Sequence, residues 1–231
     1  DLLVIFIGLE VMSISSYILV GMKRKVAVAN EAALKYLLLG AFSTGFLLYG
    51  ISLLYGATGS TLLPVIIAEI QQNGSGNPLV IVGIALVVVA MSFKIAIVPF
   101  HMWTPDVYTG APTPVTGFLS GAAKAAGFAV FIRVLMTGIP IEGANWENLF
   151  WTLAVLTMTV GNLMALRQNE VKRMLAYSSI AHAGYVLVAI TVGSTSAISG
   201  VIFYSCAYAL MGTGASFLIS NLNSASFSYF L

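Results

Sequence analysis

Residues Leu79–Phe100 read LVIVGIALVVVAMSFKIAIVPF and run directly into HMWTPDVYTGAPTP, which ends at Pro114. From Leu79 to Met91 no side chain carries an N–H or O–H group. A helix rises 1.5 Å per residue and needs about 20 apolar residues to cross about 30 Å of hydrocarbon, so the stretch is predicted to span a membrane. Its end is unusual. Lys94 lies inside the apolar run, and Pro99 and Pro105 follow. Each proline removes a backbone donor and clashes with the preceding turn, so the helix is predicted to break about a turn after Lys94. In a bilayer, freed carbonyls are tolerated only where protein or a water-filled cavity meets them. A broken helix beside an intramembrane lysine therefore points to a hydrated half-channel, with His101 and Asp106 as candidates to line its mouth; a capping or packing role suits either residue equally.

The same length measure, applied along the 231 residues, predicts seven spans: Leu2–Val20, Leu34–Gly56, Leu79–Phe100, Val115–Thr137, Leu149–Leu166, Met174–Val192 and Ala197–Ser220. Connectors such as Gly74-Ser75-Gly76-Asn77-Pro78, Gly110-Ala111-Pro112-Thr113-Pro114 and Gly138-Ile139-Pro140 separate them. The runs are apolar on every face, which excludes the alternating pattern of barrel strands. The expectation is an all-α polytopic membrane helix bundle with a discontinuous third helix. Composition agrees, with 59% hydrophobic and 8% charged residues against about 45–50% and about 25% in soluble domains. Mean hydropathy is +0.97. A soluble enzyme, a disordered regulator and a nucleic-acid-binding protein are excluded, since none hides this much apolar surface from water. The lone Cys206, in an apolar run, is expected to be a small packed hydrophobe. Asp1 is already inside an apolar stretch with no basic leader, so the chain is expected to be part of a longer polypeptide.

Threading seven spans alternately places Lys23, Arg24, Lys25, Lys35, Arg167, Lys172 and Arg173 at one face, seven of the ten basic residues. The loops of the other face hold Glu69, Glu142 and Glu147 and no Lys or Arg. That asymmetry orients the basic face toward the cytoplasm-like side. Lys94, Lys124 and Arg133 are left within spans, as is the acid Glu10. Glu10 and Lys124 each lie about 15 Å deep, near mid-membrane. A charge there costs about 2.5–3.5 kcal/mol on insertion scales, so such groups face protein or water and pair with one another. Structural ion pairing alone accounts poorly for two lysines and one glutamate, because Glu10 can neutralise only one of them. Desolvation disfavours the charged form of a surplus amine, so a proton arriving or leaving nearby can switch its charge. Arg133, near the outer end of its span, is expected to snorkel or to pair with an acid such as Glu142. His182, in SSIAHAGY near the middle of the sixth span, is a further proton carrier or a satisfied core histidine. Tyr204 and Tyr208, at i and i+4 on one face of the last span, are candidate channel-lining groups, with Ser205 between them.

Phe93–Pro114 (FKIAIVPFHMWTPDVYTGAPTP), Asn162–Ala165 (NLMA) and Val171–Tyr185 (VKRMLAYSSIAHAGY) resemble the N subunits of the proton-pumping NADH-quinone oxidoreductase (respiratory complex I, NDH-1) and, more broadly, the proton-conducting antiporter-like membrane family. The resemblance covers nearly the whole chain. The wording H-x-W-T-P-D-V-Y favours N over M and L subunits, which read more like H-x-W-L-P-D-A. It implies a fold of about fourteen helices around two inverted repeats, of which these residues are the central part. Residues 1–220 would form a single transmembrane domain and 221–231 a truncated or discontinuous end. It also implies that Glu10 and Lys94 are a charge-coupled pair, that Lys124 is the central proton carrier and that His182 relays toward a terminal lysine absent from this sequence. The implied protein is a translocase subunit without redox chemistry of its own. Nothing in the sequence has the pattern of a flavin, haem, iron–sulfur or metal site. FMN, iron–sulfur clusters, NADH and quinone would belong to partner subunits, and the neighbours would be M-, K-, J- and A-type membrane-arm subunits. The expected location is the cell (inner) membrane, with thylakoid or mitochondrial inner membrane as alternatives. Two other readings stay open: a cation/proton antiporter subunit of the same family (Mrp-like) and a purely structural membrane scaffold.

Overall fold

A computed structural model describes residues 1–73, 76–136 and 146–228. Helix α1 (Leu2–Val20) opens under Asp1, whose carboxylate accepts from the Leu3 N–H at 2.8 Å. Helix α2 (Ala27–Thr58) ends on Gly59, whose φ of 68° supplies a left-handed cap that glycine adopts without steric cost. Helix α4 (Pro78–Ile95) starts with Pro78 in its first turn under an Asn77 side-chain cap. Between α2 and α4 lies α3 (Leu63–Asn73). After α4 comes α5 (Trp103–Gly110), then α6 (Thr113–Phe118), which runs through a π-helical turn (Leu119–Ala123) into α7 (Lys124–Phe131) and a second π turn (Ile132–Met136). Helices α8 (Trp146–Leu166), α9 (Val171–Val192) and α10 (Thr195–Ser228) complete the described chain.

Among the described residues, seven helices are long and apolar enough to cross a membrane: Leu2–Val20, Ala27–Thr58, Pro78–Ile95, Thr113–Leu135, Trp146–Leu166, Val171–Val192 and Ser196–Leu222. The expected spans are all present, with corrected ends. The second is longer at both ends than Leu34–Gly56. The third stops at Ile95 and not at Phe100. The break falls on Ala96, held at φ 61° in the left-handed region, where a side chain costs about 1–2 kcal/mol. Pro99 therefore follows the break, and Pro105 sits within the first turn of α5, where a missing N–H has no partner to lose. The segment holding Glu69, expected to be a loop, contains α3, whose Leu63, Ile66 and Ile70 turn into the core at helical spacing. Eleven residues rise about 17 Å, too short to cross. Gly138-Ile139-Pro140 and Glu142 lie outside the described residues.

Large apolar side chains stay exposed along the outside: Val4, Val11 and Ile18 on α1, Phe42 on α2, and Phe203, Leu210 and Phe217 on α10. Such a surface suits lipid or neighbouring protein, not water. Cys206 is exposed on α10 and not packed as expected, because α10 leaves much of its length uncovered. Helices meet through small residues. A Cβ on Gly161 of α8 would lie 2.6 Å from the Ala181 nitrogen of α9, and one on Gly50 of α2 would lie 2.8 Å from the Gly83 oxygen of α4. Close backbone approach of this kind is what holds helices together where lipid is as apolar as leucine.

The buried apolar residues fall into two clusters. One gathers Leu9, Leu47, Leu54, Met91, Ile95, Phe128, Phe131, Ala154 and Leu187. The other, which includes the ends nearer the basic loops, gathers Tyr17, Tyr36, Phe93, Trp103, Tyr108, Leu119, Tyr177 and Ile180. In each of the first six spans, the changeover from one cluster to the other carries polar side chains: Glu10 and Ser13, Ser43 and Thr44, Ser92 and Lys94, Ser120 and Lys124, Thr157, then Ser179 and His182. Two apolar slabs thus enclose a polar layer.

Candidate functional site

Glu10, Ser13, Thr44 and Lys94 form the first part of that layer. Glu10 and Ser13 are one turn apart on α1 and face α2 and α4. Lys94 Nζ lies 3.9 Å from Glu10 Oε1 and donates to Ser13 Oγ at 2.5 Å. Ser13 donates in turn to the Leu9 carbonyl at 2.5 Å, and Thr44 donates to Glu10 Oε1 at 2.7 Å. The Lys94 side chain is 5% exposed and that of Glu10 19%, so the pair is largely removed from the surface. At 3.9 Å the two charges are neighbours rather than a tight hydrogen-bonded pair, with Ser13 and Thr44 taking up one polar group of each. The break beside Lys94 has its own partners. Thr157 Oγ1 of α8 accepts from the Val98 N–H at 3.1 Å, and the Trp103 indole N–H donates to the Phe93 carbonyl at 2.9 Å.

Lys124 is held differently. It lies immediately after the first π turn and is 3% exposed. Its Nζ donates to the Ser179 carbonyl at 2.8 Å and to Ser179 Oγ at 2.6 Å. Among the described residues no carboxylate comes within 4 Å of it. His182, one turn beyond Ser179 on α9, hydrogen-bonds through Nδ1 to the Tyr204 hydroxyl. The Tyr208 ring centre lies 4.6 Å from the imidazole and that of Tyr185 5.4 Å. Lys124, Ser179, His182, Tyr204, Ser205 and Tyr208 line one cleft of about 10 Å³, close to the least space that holds a water molecule. The two tyrosines and the histidine singled out in the sequence therefore meet Lys124 in one place.

His101 and Asp106 do not border that cleft. His101 lies half-buried in the break. Asp106 of α5, outside the seven spans, accepts from Lys35 of α2 and from Arg173 of α9, each at 2.8 Å. Burial acts to raise its carboxyl, but the hydrogen bonds and charges of Lys35 and Arg173 outweigh that and hold it below the usual carboxylate range. Arg133 is exposed on the second π turn, and its expected partner Glu142 is outside the described residues. Sequence reasoning missed Ser13, Thr44, Thr157 and Ser179. Ser13 and Ser179 carried a usable signal, each standing three residues from a suspected charged group on the same helix; Thr44 and Thr157 became visible only with the packing.

The fold and this layer of buried lysines, carboxylate, histidine and hydroxyls define a multi-span helical membrane protein with ionisable groups at mid-depth and a discontinuous helix beside them. The chain belongs to the family described as NADH:quinone oxidoreductase/Mrp antiporter, TM, which matches residues 1–229. It is 55% identical over 216 residues to NADH-quinone oxidoreductase subunit N of Trichlorobacter lovleyi, covering 93% of this chain and 44% of that protein. Among solved structures, it matches a chain of respiratory complex I from Thermus thermophilus with bound aureothin, with a TM-score of 0.80 at 42% identity, covering 95% of this chain and 46% of that one. It also matches a chain of the Mrp complex from Dietzia sp., with a TM-score of 0.83 at 26% identity, covering 95% of this chain and 41% of that one. The chain thus spans less than half the length of the relatives it matches.

Proposed function

We propose that residues 1–220 are the central transmembrane domain of an N-type subunit of NADH-quinone oxidoreductase. The subunit translocates protons while electron transfer proceeds in partner subunits. The observation that carries this reading is Lys124, a buried lysine with no carboxylate partner among the described residues, in the same cleft as His182, Tyr204 and Tyr208. A permanent charge so placed is costly; an amine that alternates between charged and neutral is a proton carrier. Glu10 and Lys94 form the coupled pair that controls it. With Lys94 close to Glu10 its ammonium is stabilised. Displacing that ammonium toward Lys124 adds like-charge repulsion, which expels the Lys124 proton. His182 and Tyr204 carry the proton onward.

FMN, iron–sulfur clusters, NADH and quinone belong, on this reading, to partner subunits, and M-, K-, J- and A-type membrane-arm subunits flank the chain in a bacterial cell membrane. Support comes from the 55% identity to a subunit N. The test is proton pumping per NADH oxidised by the reconstituted complex carrying Glu10→Gln or Lys124→Ala. Both are expected to fall well below wild type, and unchanged stoichiometry in both would sink the proposal. The likeness to an Mrp chain favours a second reading, a cation/proton antiporter subunit; sodium-dependent pH changes in vesicles that oxidise no NADH would select it.

A further inference from the structure

Asp106 has no part in the proton path above, yet like Glu10 it is a carboxylate that joins three helices. It sits on α5, eight residues long and far below the roughly 12–15 at which a helix begins to hold itself in water. Outside contacts keep it in place. Asp106 Oδ2 accepts from Lys35 on α2 and Oδ1 from Arg173 on α9. Lys172, next to Arg173, donates to the Thr109 carbonyl at 3.1 Å and the Ala111 carbonyl at 2.6 Å, closing the other end of α5. One turn before Asp106, the Trp103 ring stacks on Tyr36 of α2, with centroids 4.5 Å apart and planes at 11°. Its indole N–H is bonded to the carbonyl of Phe93, the residue before Lys94. Tyr36 in turn meets Tyr17 of α1 edge-on at 4.7 Å, one turn beyond Ser13, to which Lys94 donates.

We propose that Asp106 is a positioning residue for the Glu10–Lys94 pair: its two ion pairs fix α5 between α2 and α9, and α5, through Trp103, fixes the last turn of α4 and with it Lys94. The inference rests on the reading of that pair as part of the proton machinery. Removing the carboxylate charge leaves Lys35 and Arg173 facing each other across a neutral group, so attraction among α2, α5 and α9 becomes repulsion. Glu31, 2.7 Å from Lys35 on the same helix, can retain Lys35, but it has no reach onto α5 through that bond. The aromatic stack at Trp103 and the Lys172 bonds at the far end of α5 are then what hold it.

The test uses the whole complex with Asp106→Asn and Asp106→Glu, read in two ways. One is pumping per NADH oxidised at equal assembly on blue-native gels. The other is maleimide labelling of a thiol introduced by Val107→Cys, at a fully buried position of α5, in a Cys206→Ser background because Cys206 is exposed. Asp106→Asn is expected to lower pumping at least threefold and to speed labelling at least fivefold, with Asp106→Glu restoring most of both. A merely structural role would reduce assembly in proportion to activity and leave pumping per assembled complex unchanged, which overturns the proposal. If Asp106→Asn fails to assemble, Arg173→Gln and Lys35→Gln each remove one arm. Partial loss of pumping in both supports the proposal, and full pumping in both overturns it. Glu10→Gln run alongside separates the two readings. If it abolishes pumping while Asp106→Asn does not, only the positioning role fails; if it leaves pumping intact, the reading of the pair fails, and the labelling rates still decide whether Asp106 fixes α5.

Discussion

Two buried lysines occupy the same polar layer and are stabilised in opposite ways. Lys94 has a carboxylate 3.9 Å away and a serine hydroxyl at 2.5 Å. Lys124 has, among the described residues, a carbonyl and a hydroxyl of Ser179. A counter-charge favours one protonation state, whereas neutral acceptors leave the balance to be set by whatever charge comes near. On the proposed mechanism the difference divides the labour between a charge-coupled pair and an amine that responds to it.

The comparison can be broken most directly by deleting each amine. Lys124→Ala strands no opposite charge, so the complex is expected to lose only the stability that the cavity costs, and less than with Lys94→Ala. Pumping should fall by on the order of 10²-fold, the contribution of a positioned proton carrier. Lys94→Ala leaves Glu10 without its cation and is expected to cost on the order of 2–3 kcal/mol, read as a lowered melting temperature in detergent. Replacing both members, Glu10→Gln with Lys94→Met, should recover much of that stability without restoring pumping. Equal stability losses for Lys94→Ala and Lys124→Ala would remove the distinction between the sites.

Smaller changes sharpen it. Ser13→Ala deletes a hydrogen bond to a charged group, expected to cost about 1.5–3 kcal/mol. Ser179→Ala leaves the backbone carbonyl on Lys124 and should cost about 1 kcal/mol or less; the reverse order in thermal melts would contradict the contacts described. Tyr204→Phe removes the hydroxyl on His182 Nδ1 and should slow pumping a few-fold with melting unchanged, a result that places His182 downstream of Lys124. Normal pumping in that variant would take the histidine out of the path. The smallest effect concerns the break: Ala96→Gly relieves a left-handed alanine and should stabilise by about 1 kcal/mol, while pumping measures whether the added backbone freedom harms Lys94.

The spans and the intramembrane charges were legible because a bilayer imposes a length on helices and a cost on charges, and both are written in one dimension. Glu10, Lys94, Lys124 and His182 stood out as the residues that violate the apolar rule. What was not legible depended on neighbours. Proline chemistry pointed to a break near Pro99, but the turn ends at Ala96, where Val98 N–H finds Thr157 and Phe93 C=O finds Trp103. Helix α3 was hidden because eleven residues with one glutamate and two glutamines read as a loop until Ile66 and Ile70 find a core to enter. Cys206 looked like core because apolar surroundings in a sequence do not say which side of a helix meets protein. Asp106 was seen, but its two cations lie 71 and 67 residues away, beyond what spacing can reveal.

The changeover between the two apolar clusters has a mechanical consequence. Within each cluster the side chains are close-packed, while between the clusters each buried lysine is held by directional hydrogen bonds to a single serine. A shift of one helix against another would therefore change the distance between a buried lysine and its partners. Because charge–charge energy varies inversely with distance and is large where water is scarce, even a small shift between α1 and α4 would change the Glu10–Lys94 energy more than it would that of the apolar contacts around it.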